Sequence, residues 1–335
     1  MSLNKSNHCF FALTMLLLLA IGIGIGISVG SSGLGSLQNA WHDDVAWQII
    51  WQIRLPRTLG AFAAGALLGL AGALAQGLFR NPLADPYLLG SASGATLGVA
   101  LALAFYGGNQ FAPDAFVRVG LTGAAFIGAL FAVVLTLLLA KGVQHTMRLL
   151  LAGVIVGVVM GAIASLISLM RPDVLQNMQG FLLGSTAFIG WSAFFVMVCV
   201  LLPCLCLAWF FGFAMDALSL GESTALSLGV PLRSMRIVLV LLVALATGTA
   251  VAQTGLIAFV GLAAPHLVRS TTSVKSASLA ILSALMGGVL LLVADILARS
   301  VIAPQELPVG VLTAVLGGGY LLWLMYRNQN QGGLR

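Results

Sequence analysis

The sequence contains few charged residues, and this shortage limits the class of protein before any motif is considered. Of the 335 residues only 7% are Asp, Glu, Lys or Arg, whereas soluble domains carry about 25%. Hydrophobic residues make up 60% of the chain, and the mean hydropathy is +1.08. This composition excludes a soluble enzyme, a disordered segment and a disulfide scaffold, and it predicts a polytopic membrane protein.

The chain also lacks the motifs that would supply energy for transport. No Gly-x-x-x-x-Gly-Lys-Ser/Thr sequence is present, so we expect no phosphate-binding loop and no ATP hydrolysis by this chain. Ion-coupled transporters carry charged residues or histidines inside their spans, but the middles of the apolar segments here contain no Asp, Glu, Lys or Arg. A secondary transporter is therefore a remote alternative, and we expect the energy source on another protein.

Other kinds of chemistry have little support in the sequence. Ser93 and His266 are weighed as a membrane serine protease pair, but the glycine expected two residues before the serine is missing. Cys204 and Cys206 are two residues apart and face different sides of a helix, so they are not expected to bind one metal ion. Basic residues outnumber acidic ones, giving a net charge of +6, but they are scattered singly between apolar runs. We predict no catalytic residue, no metal site and no nucleic-acid partner.

Charges, prolines and polar clusters divide the chain into ten apolar segments, since a spanning helix needs about 20 residues. Between Arg236 and Arg269 lie 32 residues without an acid, a lysine or an arginine, too many for one helix and few for two. We therefore expect two short helices that meet near residues 253–255. The predicted spans are 10–30, 58–79, 88–106, 116–140, 149–170, 191–212, 236–254, 256–270, 276–300 and 307–326.

Ten spans place both termini on one side of the membrane, and the basic residues indicate which side. With the termini inside, the inner loops hold ten Lys and Arg residues and the outer ends hold five, which favours cytoplasmic termini. The longest inner connection, residues 213–235, predicts two short amphipathic helices with a break at Gly229-Val230-Pro231. This loop is a candidate docking site for a partner.

Glycines spaced four residues apart predict close contacts between helices, because small residues let helices approach in lipid. A helix lining a transport pathway is the alternative interpretation. Three such ladders are present: Gly65/Gly69, Gly90/Gly94/Gly98 and Gly153/Gly157/Gly161.

Seven motifs in chain order resemble those of the permeases of ABC importers for iron chelates and cobalamin. The resemblance covers nearly the whole chain, and the ten-helix architecture of that family agrees with the ten segments predicted from hydropathy. The motifs are RLPR (54–57), GALAQGLFRNPLADPYLLGSASGATLG (72–98), LLLAGV (149–154), LGESTALSLGV (220–230), AFVGLAAPHLVR (258–269), ADILAR (294–299) and ELPVGVLTAVLGG (306–318).

The resemblance implies an all-α type II ABC importer permease that forms one domain over residues 1–335 and lies in the bacterial inner membrane. It implies a homodimer, two cytoplasmic ATPase subunits that hold ATP and Mg²⁺, and a periplasmic substrate-binding protein. The chain itself would hold no cofactor and would not be an enzyme. Segments 149–170 and 307–326 would border a central path for a ferric siderophore or haem, with cobalamin as the alternative.

The resemblance also assigns two candidate sites. Arg54, Arg57 and Arg299 match the arginines that the cobalamin permease offers to glutamates of its binding protein. From the residues alone, the same three arginines are first interpreted as anchors that snorkel at helix ends, and a positive rim that captures acidic residues of an outside protein is the alternative. The loop 213–235 matches the segment that couples the permease to its ATPase, and its candidate residues are Leu220, Gly221, Glu222, Ala225, Leu228, Gly229, Val230 and Pro231.

Overall fold

The computed structural model describes residues 2–30, 33–34, 44–106, 115–140 and 146–332. Within these ranges most residues are helical, and the strands described are an antiparallel pair of two residues each, Val29–Gly30 and Gly33–Leu34. A π-helical turn, Ile50–Arg54, joins the second and third helices, and a 3-10 helix, Pro86–Leu89, precedes the fourth.

The α-helices of the described ranges are numbered here in chain order. They are α1 (Ser2–Ser28), α2 (Asp44–Ile49), α3 (Leu55–Phe79), α4 (Ser91–Tyr106), α5 (Ala115–Leu139), α6 (Thr146–Met170), α7 (Pro172–Leu183), α8 (Trp191–Phe210), α9 (Gly212–Ser219), α10 (Glu222–Ser227), α11 (Leu232–Thr254), α12 (Val260–Thr271), α13 (Ser276–Ser300) and α14 (Val309–Gly332).

Seven helical stretches in the described residues are long and apolar enough to cross a membrane. They are Phe10–Ser28, Asp44–Phe79, Val119–Leu139, Met147–Met170, Trp191–Phe210, Leu232–Thr254 and Ser276–Ser300. Two further apolar helices, Ser91–Phe105 and Val309–Trp323, are shorter. The chain is therefore an all-helical, multi-pass protein, and the count of ten spans stays a prediction.

The break expected near residues 253–255 is present. Helix α11 ends at Thr254, and Gly255 follows with a φ of +69°. Helix α12 begins only at Val260, and its 12 residues extend about 18 Å, less than the roughly 30 Å of a bilayer core. Protein groups satisfy the non-helical backbone between them, since Leu256 N–H donates to the Phe181 carbonyl (2.9 Å) and the Tyr87 hydroxyl to the Ile257 carbonyl (3.1 Å).

Helices α3 and α13 form the buried centre of the bundle, and glycine sets their close approach. A Cβ atom at Gly65 would lie 2.2 Å from the Gly287 carbonyl oxygen, and one at Gly69 would lie 2.1 Å from the Ser283 carbonyl oxygen. No side chain fits at such distances, so the backbones of the two helices are in direct contact. The packing interpretation of the first glycine ladder is confirmed.

The other two ladders differ from each other. In α4, a Cβ at Gly94 would lie 2.3 Å from the Gly128 carbonyl oxygen of α5, so this ladder also serves close packing. In α6, a Cβ at Gly153 would lie 2.1 Å from the Leu88 carbonyl oxygen, so this position is closely packed as well. A Cβ at Gly157 would meet nothing nearer than 3.5 Å, so the rest of the third ladder is not closely packed.

Helix α7 was not among the predicted elements, which treat residues 171–190 as a connection. Its sequence signals are Pro172 in the first turn and three apolar residues that recur every three or four positions. These residues, Val174, Met178 and Phe181, are buried, while Asp173 forms an exposed ion pair with Arg171. A 12-residue helix with one buried face falls below the length that a search for spans detects.

Several helices on the outside of the bundle leave large apolar surfaces uncovered. On α6 a narrow stripe is buried, and Leu151, Val154, Val158 and Leu166 on its other faces are exposed. Helix α14 likewise exposes Val315, Leu316 and Leu322. Surfaces of this kind suit lipid or another protein chain, because water would disfavour them.

The bundle has two ends that carry polar residues. The arginine end is defined here by Arg54, Arg57 and Arg299, and the loop end by residues 212–231 together with Arg80. Helix α3 runs from the arginine end to the loop end, and α13 runs back. The last turn of α1 and the first turn of α14 both lie at the arginine end, where Arg299 bonds to Gly26 and the Leu307 N–H donates to the Ala298 carbonyl. The beginning of α1 and the end of α14 therefore both lie toward the loop end.

Candidate functional sites at the two ends of the bundle

At the arginine end, Arg57 lies in the first turn of α3 and is 7% exposed. Its Nε and Nη2 atoms donate to Asp295 Oδ1 at 3.1 and 3.0 Å. Its Nη1 atom donates to Glu306 Oε1 at 3.0 Å and lies 2.9 Å from Glu306 Oε2. One guanidinium thus holds two carboxylates, one in α13 and one just before α14.

Arg299 completes this network from the last turn of α13. It is buried, and its Nη2 atom donates to Asp295 Oδ2. The Nη1 atom of Arg299 donates to the Gly26 carbonyl at the end of α1 (3.1 Å), and Nη2 also reaches the Thr58 hydroxyl (3.3 Å). The network therefore fastens α1 to the central pair of helices.

Asp295 is the centre of the network and is completely buried. Besides the two arginines, the Thr186 hydroxyl donates to its Oδ1 atom at 2.5 Å, from the connection between α7 and α8. A buried carboxylate is tolerated only when charges and hydrogen bonds compensate for its lost hydration, and Asp295 has both.

The positive rim predicted for this end is not what the structure presents. Arg57 and Arg299 are buried and neutralised by Asp295 and Glu306, because two arginines and two carboxylates together carry no net charge. The spacing of Asp295 and Arg299, one helical turn apart, predicts their pairing, but nothing in the sequence indicates that Asp295 or Glu306 meets Arg57. The structure therefore corrects the expectation that Arg57 and Arg299 are exposed. The role of the arginines in docking stays a prediction.

Arg54 differs from the other two arginines because it is half-buried and contacts no carboxylate in the described residues. Its Nη1 atom donates to the carbonyls of Ile27 and Ser28, both at 3.1 Å. A cation at these last carbonyls of α1 is favoured by the helix dipole. Nearby, Trp191 Nε1 donates to the Trp51 carbonyl (2.9 Å), which places an aromatic pair typical of a membrane interface at this end.

At the loop end, two short helices are present as predicted, but the break between them is elsewhere. They are separated at Leu220 and Gly221, whose φ of +118° favours glycine. Gly229, with a φ of +76°, follows the second short helix, and Pro231 precedes α11. The prediction relied on the Gly-x-Pro pattern, which marks the start of the long helix rather than the boundary between the short ones.

Glu222 is the main polar contact of this loop. It begins α10, and its Oε1 atom lies 2.5 Å from Arg236 Nη2 at the start of α11. The same oxygen lies 3.8 Å from Nη2 of Arg80, which follows α3. Glu222 therefore ties the loop to two long helices, and 38% of its side chain remains exposed.

The remaining predicted coupling residues divide into an anchored and a projecting set. Ala225 and Val230 are buried against the bundle, so they hold the loop in place. Leu220 and Leu228 are more than half exposed, as is Leu226, which the prediction omitted. Projecting leucines on a short loop form an apolar surface that suits contact with another protein. Leu220, Leu226 and Leu228 are called the loop surface below.

Asp216 is a second contact that the sequence analysis missed. It lies in α9, and its Oδ1 atom accepts a hydrogen bond from the Ser276 N–H at 2.8 Å. Ser276 is the first residue of α13, so Asp216 provides the cap that this helix lacks from its own sequence. Asp216 is a single acid in an apolar stretch, which indicates a polar contact. The sequence does not indicate that its partner lies 60 residues away.

The family of the chain follows from comparison with known proteins. The sequence model described as the FecCD transport family matches residues 12–327. The chain belongs to the FecCD transport family. This match includes every residue of the two candidate sites.

Two curated relatives of this FecCD protein match over most of their length. The hemin transport system permease protein HmuU of Yersinia pestis is 38% identical over 315 residues, which is 90% of this chain and 92% of the relative. The vitamin B12 import system permease protein BtuC of Vibrio cholerae is 35% identical over 294 residues, or 87% of this chain and 86% of the relative.

A solved structure supports the fold. It is described as an inward-facing conformation of a metal-chelate type ABC transporter, and it is 30% identical with a TM-score of 0.84. The similarity covers 94% of this chain and 98% of that chain. The FecCD protein therefore has the fold of an ABC transporter permease.

The two residues weighed as a protease pair lie against different helices of this FecCD protein. Ser93 faces Gly157 of α6, whereas His266 packs against Tyr320 of α14, so the structure does not bring Ser93 and His266 together. The described residues also contain no group of three or more His, Cys, Asp or Glu side chains suited to hold a metal ion.

Proposed function

We propose that this chain is the membrane permease of an ATP-driven importer that carries a metal chelate, a ferric siderophore or haem, across the bacterial inner membrane. Cobalamin import by the same mechanism is the alternative. The observation that carries the proposal is the similarity to hemin and vitamin B12 permeases over nearly the whole chain. The family membership also favours an ATP-driven permease over a secondary transporter.

In this proposal the energy comes from two copies of a cytoplasmic ATPase, which hold ATP and Mg²⁺. The loop surface is the contact with the ATPase, since its three leucines project from the bundle. Glu222 transmits the movement of the loop, because it is paired with Arg80 and Arg236 at the ends of two long helices. The sequence itself contains no phosphate-binding loop, which agrees with a separate ATPase.

The path for the chelate lies between two copies of this chain, bordered by α6 and α14. The wide exposed apolar surfaces of these helices support that placement. Walls of this kind bind a large chelate weakly, which lets it leave as well as enter. ATP binding would switch the open end of the path, as in other transport cycles with alternating access.

The arginine end faces the periplasm in this arrangement, and both termini lie in the cytoplasm. A substrate-binding protein docks at the arginine end, where Arg54, Arg57 and Arg299 lie close to one another. Exposed Val301 and Ile302, which follow α13, add an apolar contact beside them. Such a mixture of charge and apolar surface is typical of transient protein interfaces.

Copurification tests the proposed assembly. The tagged chain would be extracted in mild detergent from its native host, after light crosslinking, and the bound proteins identified and quantified by mass spectrometry. We expect an ABC ATPase in a one-to-one ratio with the permease, together with a periplasmic binding protein. A folded, dimeric or monomeric permease recovered with neither protein would contradict the proposal.

A further inference from the structure

Glu306 has an unusual position in the network of the arginine end. Its side chain is 26% exposed, whereas the side chain of Asp295 is 0% exposed, although both pair with Arg57. Glu306 lies in the non-helical segment between α13 and α14, and the residues just before it, 301–305, are exposed. It is therefore the carboxylate of this network that solvent or another protein can reach.

The hydrogen bonds of Arg57 leave little room for a further partner. Nε and Nη2 are directed to Asp295, and Nη1 is directed to Glu306. Of the two carboxylates on Arg57, Glu306 is the more exposed, so its place is the one where a carboxylate arriving from outside would meet Arg57. Asp295 is not displaced in this way, because its removal would leave two buried arginines without the carboxylate that neutralises them.

The Arg57–Glu306 pair is also the more hydrated of the two, since Glu306 is 26% exposed and Asp295 is 0% exposed. An ion pair at a partly hydrated surface gains little free energy, since water competes for both groups. Glu306 precedes a backbone that is fixed by the hydrogen bond from the Leu307 N–H to the Ala298 carbonyl, at 2.9 Å. Displacement of the Glu306 side chain alone would therefore require no change in the helices.

We propose that Glu306 is an internal competitor that occupies the place on Arg57 which a carboxylate of the substrate-binding protein takes when it docks. This inference rests on the proposed function, since it names the residue that regulates that docking site. With Glu306 in place the two arginines and two carboxylates carry no net charge, and the site attracts acidic partners weakly. Displacement of Glu306 leaves a net charge of +1 and frees the Nη1 group of Arg57.

The test measures how tightly the binding protein binds to the transporter in lipid nanodiscs, with the binding protein that copurifies with the wild-type chain as the probe. The variant Glu306→Gln removes the charge and keeps the shape. We expect its Kd to be about fivefold lower than that of the wild type at low ionic strength, the effect of one unit charge at 4 Å in water. The gain shrinks in high salt, because salt screens an exposed charge.

Two control variants separate competition from other effects. Asp173→Asn makes the same change of charge in the exposed Arg171–Asp173 pair, and its Kd stays within about twofold of the wild type because exposed pairs contribute little. Glu306→Asp keeps the charge, and its Kd stays closer to the wild type than that of Glu306→Gln.

The outcomes distinguish this inference from the proposed function. If the wild-type transporter binds the protein and Glu306→Gln binds it with equal or lower affinity, the competitor role is overturned while docking stands. A lowered melting temperature with weaker binding also overturns it, since Glu306 would then be a structural residue. If the wild-type transporter binds no periplasmic protein although its ATPase is present, both the docking and the competitor role are overturned.

Discussion

The two ends of the bundle use the same set of groups, a carboxylate between two arginines, in opposite environments. At the arginine end, Asp295 is completely buried between Arg57 and Arg299. At the loop end, Glu222 lies between Arg80 and Arg236 and is still partly exposed. Burial decides what the carboxylate does, because a buried charge must keep its partners while an exposed one can exchange them for water.

This comparison assigns the ends different roles. The buried network fixes α1, α3 and α13 relative to one another, so its loss should damage the fold. The contacts of Glu222, which is partly exposed although its partner Arg236 is buried, hold a loop at the end of the bundle, so we expect their loss to affect transport more than stability. The first expectation concerns the free energy of unfolding and the second concerns coupling.

The largest expected effect on stability is that of Asp295→Ala. The variant leaves Arg57 and Arg299 as buried charges without their shared partner, which costs about 3–5 kcal/mol. The measurement is the thermal unfolding of the purified protein together with its folded yield. Asp173→Ala, which breaks an exposed ion pair with Arg171, should leave the unfolding temperature unchanged. Equal stability of the wild type and Asp295→Ala would show that the network does not hold the helices together.

A smaller effect is expected for Asp216→Ala at the loop end. The variant removes the acceptor from the Ser276 N–H at the start of α13, and the loss of such a cap costs about 1 kcal/mol. Hydrogen exchange should become faster at the first amides of α13 and remain unchanged at its arginine end. Asp216→Asn retains an acceptor and serves as the control. Unchanged exchange in Asp216→Ala would exclude the capping role.

A smaller effect on stability than that of Asp295→Ala is also expected for Glu222→Ala, since the Glu222 side chain is 38% exposed although its partner Arg236 is buried. Its effect on function should be large, because the loop loses its contacts with both Arg80 and Arg236. ATP hydrolysis by the assembled transporter should continue while uptake of the chelate falls. Full uptake by a correctly assembled Glu222→Ala transporter would remove Glu222 from the coupling role.

The helices were largely predictable from the sequence because hydropathy records where the chain meets lipid. The span predicted at 276–300 coincides with helix Ser276–Ser300, and α11 ends within the predicted break. Helix α7 was missed because it is short and amphipathic, whereas a search for spans detects long apolar runs. The 3-10 helix Pro86–Leu89 was likewise joined to its neighbour in the predicted span 88–106.

The sites were less predictable because their partners are distant in sequence. The spacing of Asp295 and Arg299 suggests a pair within one helix, but Arg57 is 238 residues from Asp295. Only the fold shows that Arg57 meets Asp295 and Glu306 and is buried by them. At the loop end, glycines at 221 and 229 both have positive φ, and the sequence gives no means to decide which one divides the short helices.

The central claim is that this permease imports a metal chelate with energy from ATP. The most direct test is uptake of radiolabelled haem, ferric siderophore or cobalamin into vesicles that contain the chain and its copurified ATPase. We predict that uptake of one chelate requires ATP and the binding protein, and that it is unaffected when ionophores remove all ion gradients. Uptake that follows an imposed ion gradient without ATP would contradict the account.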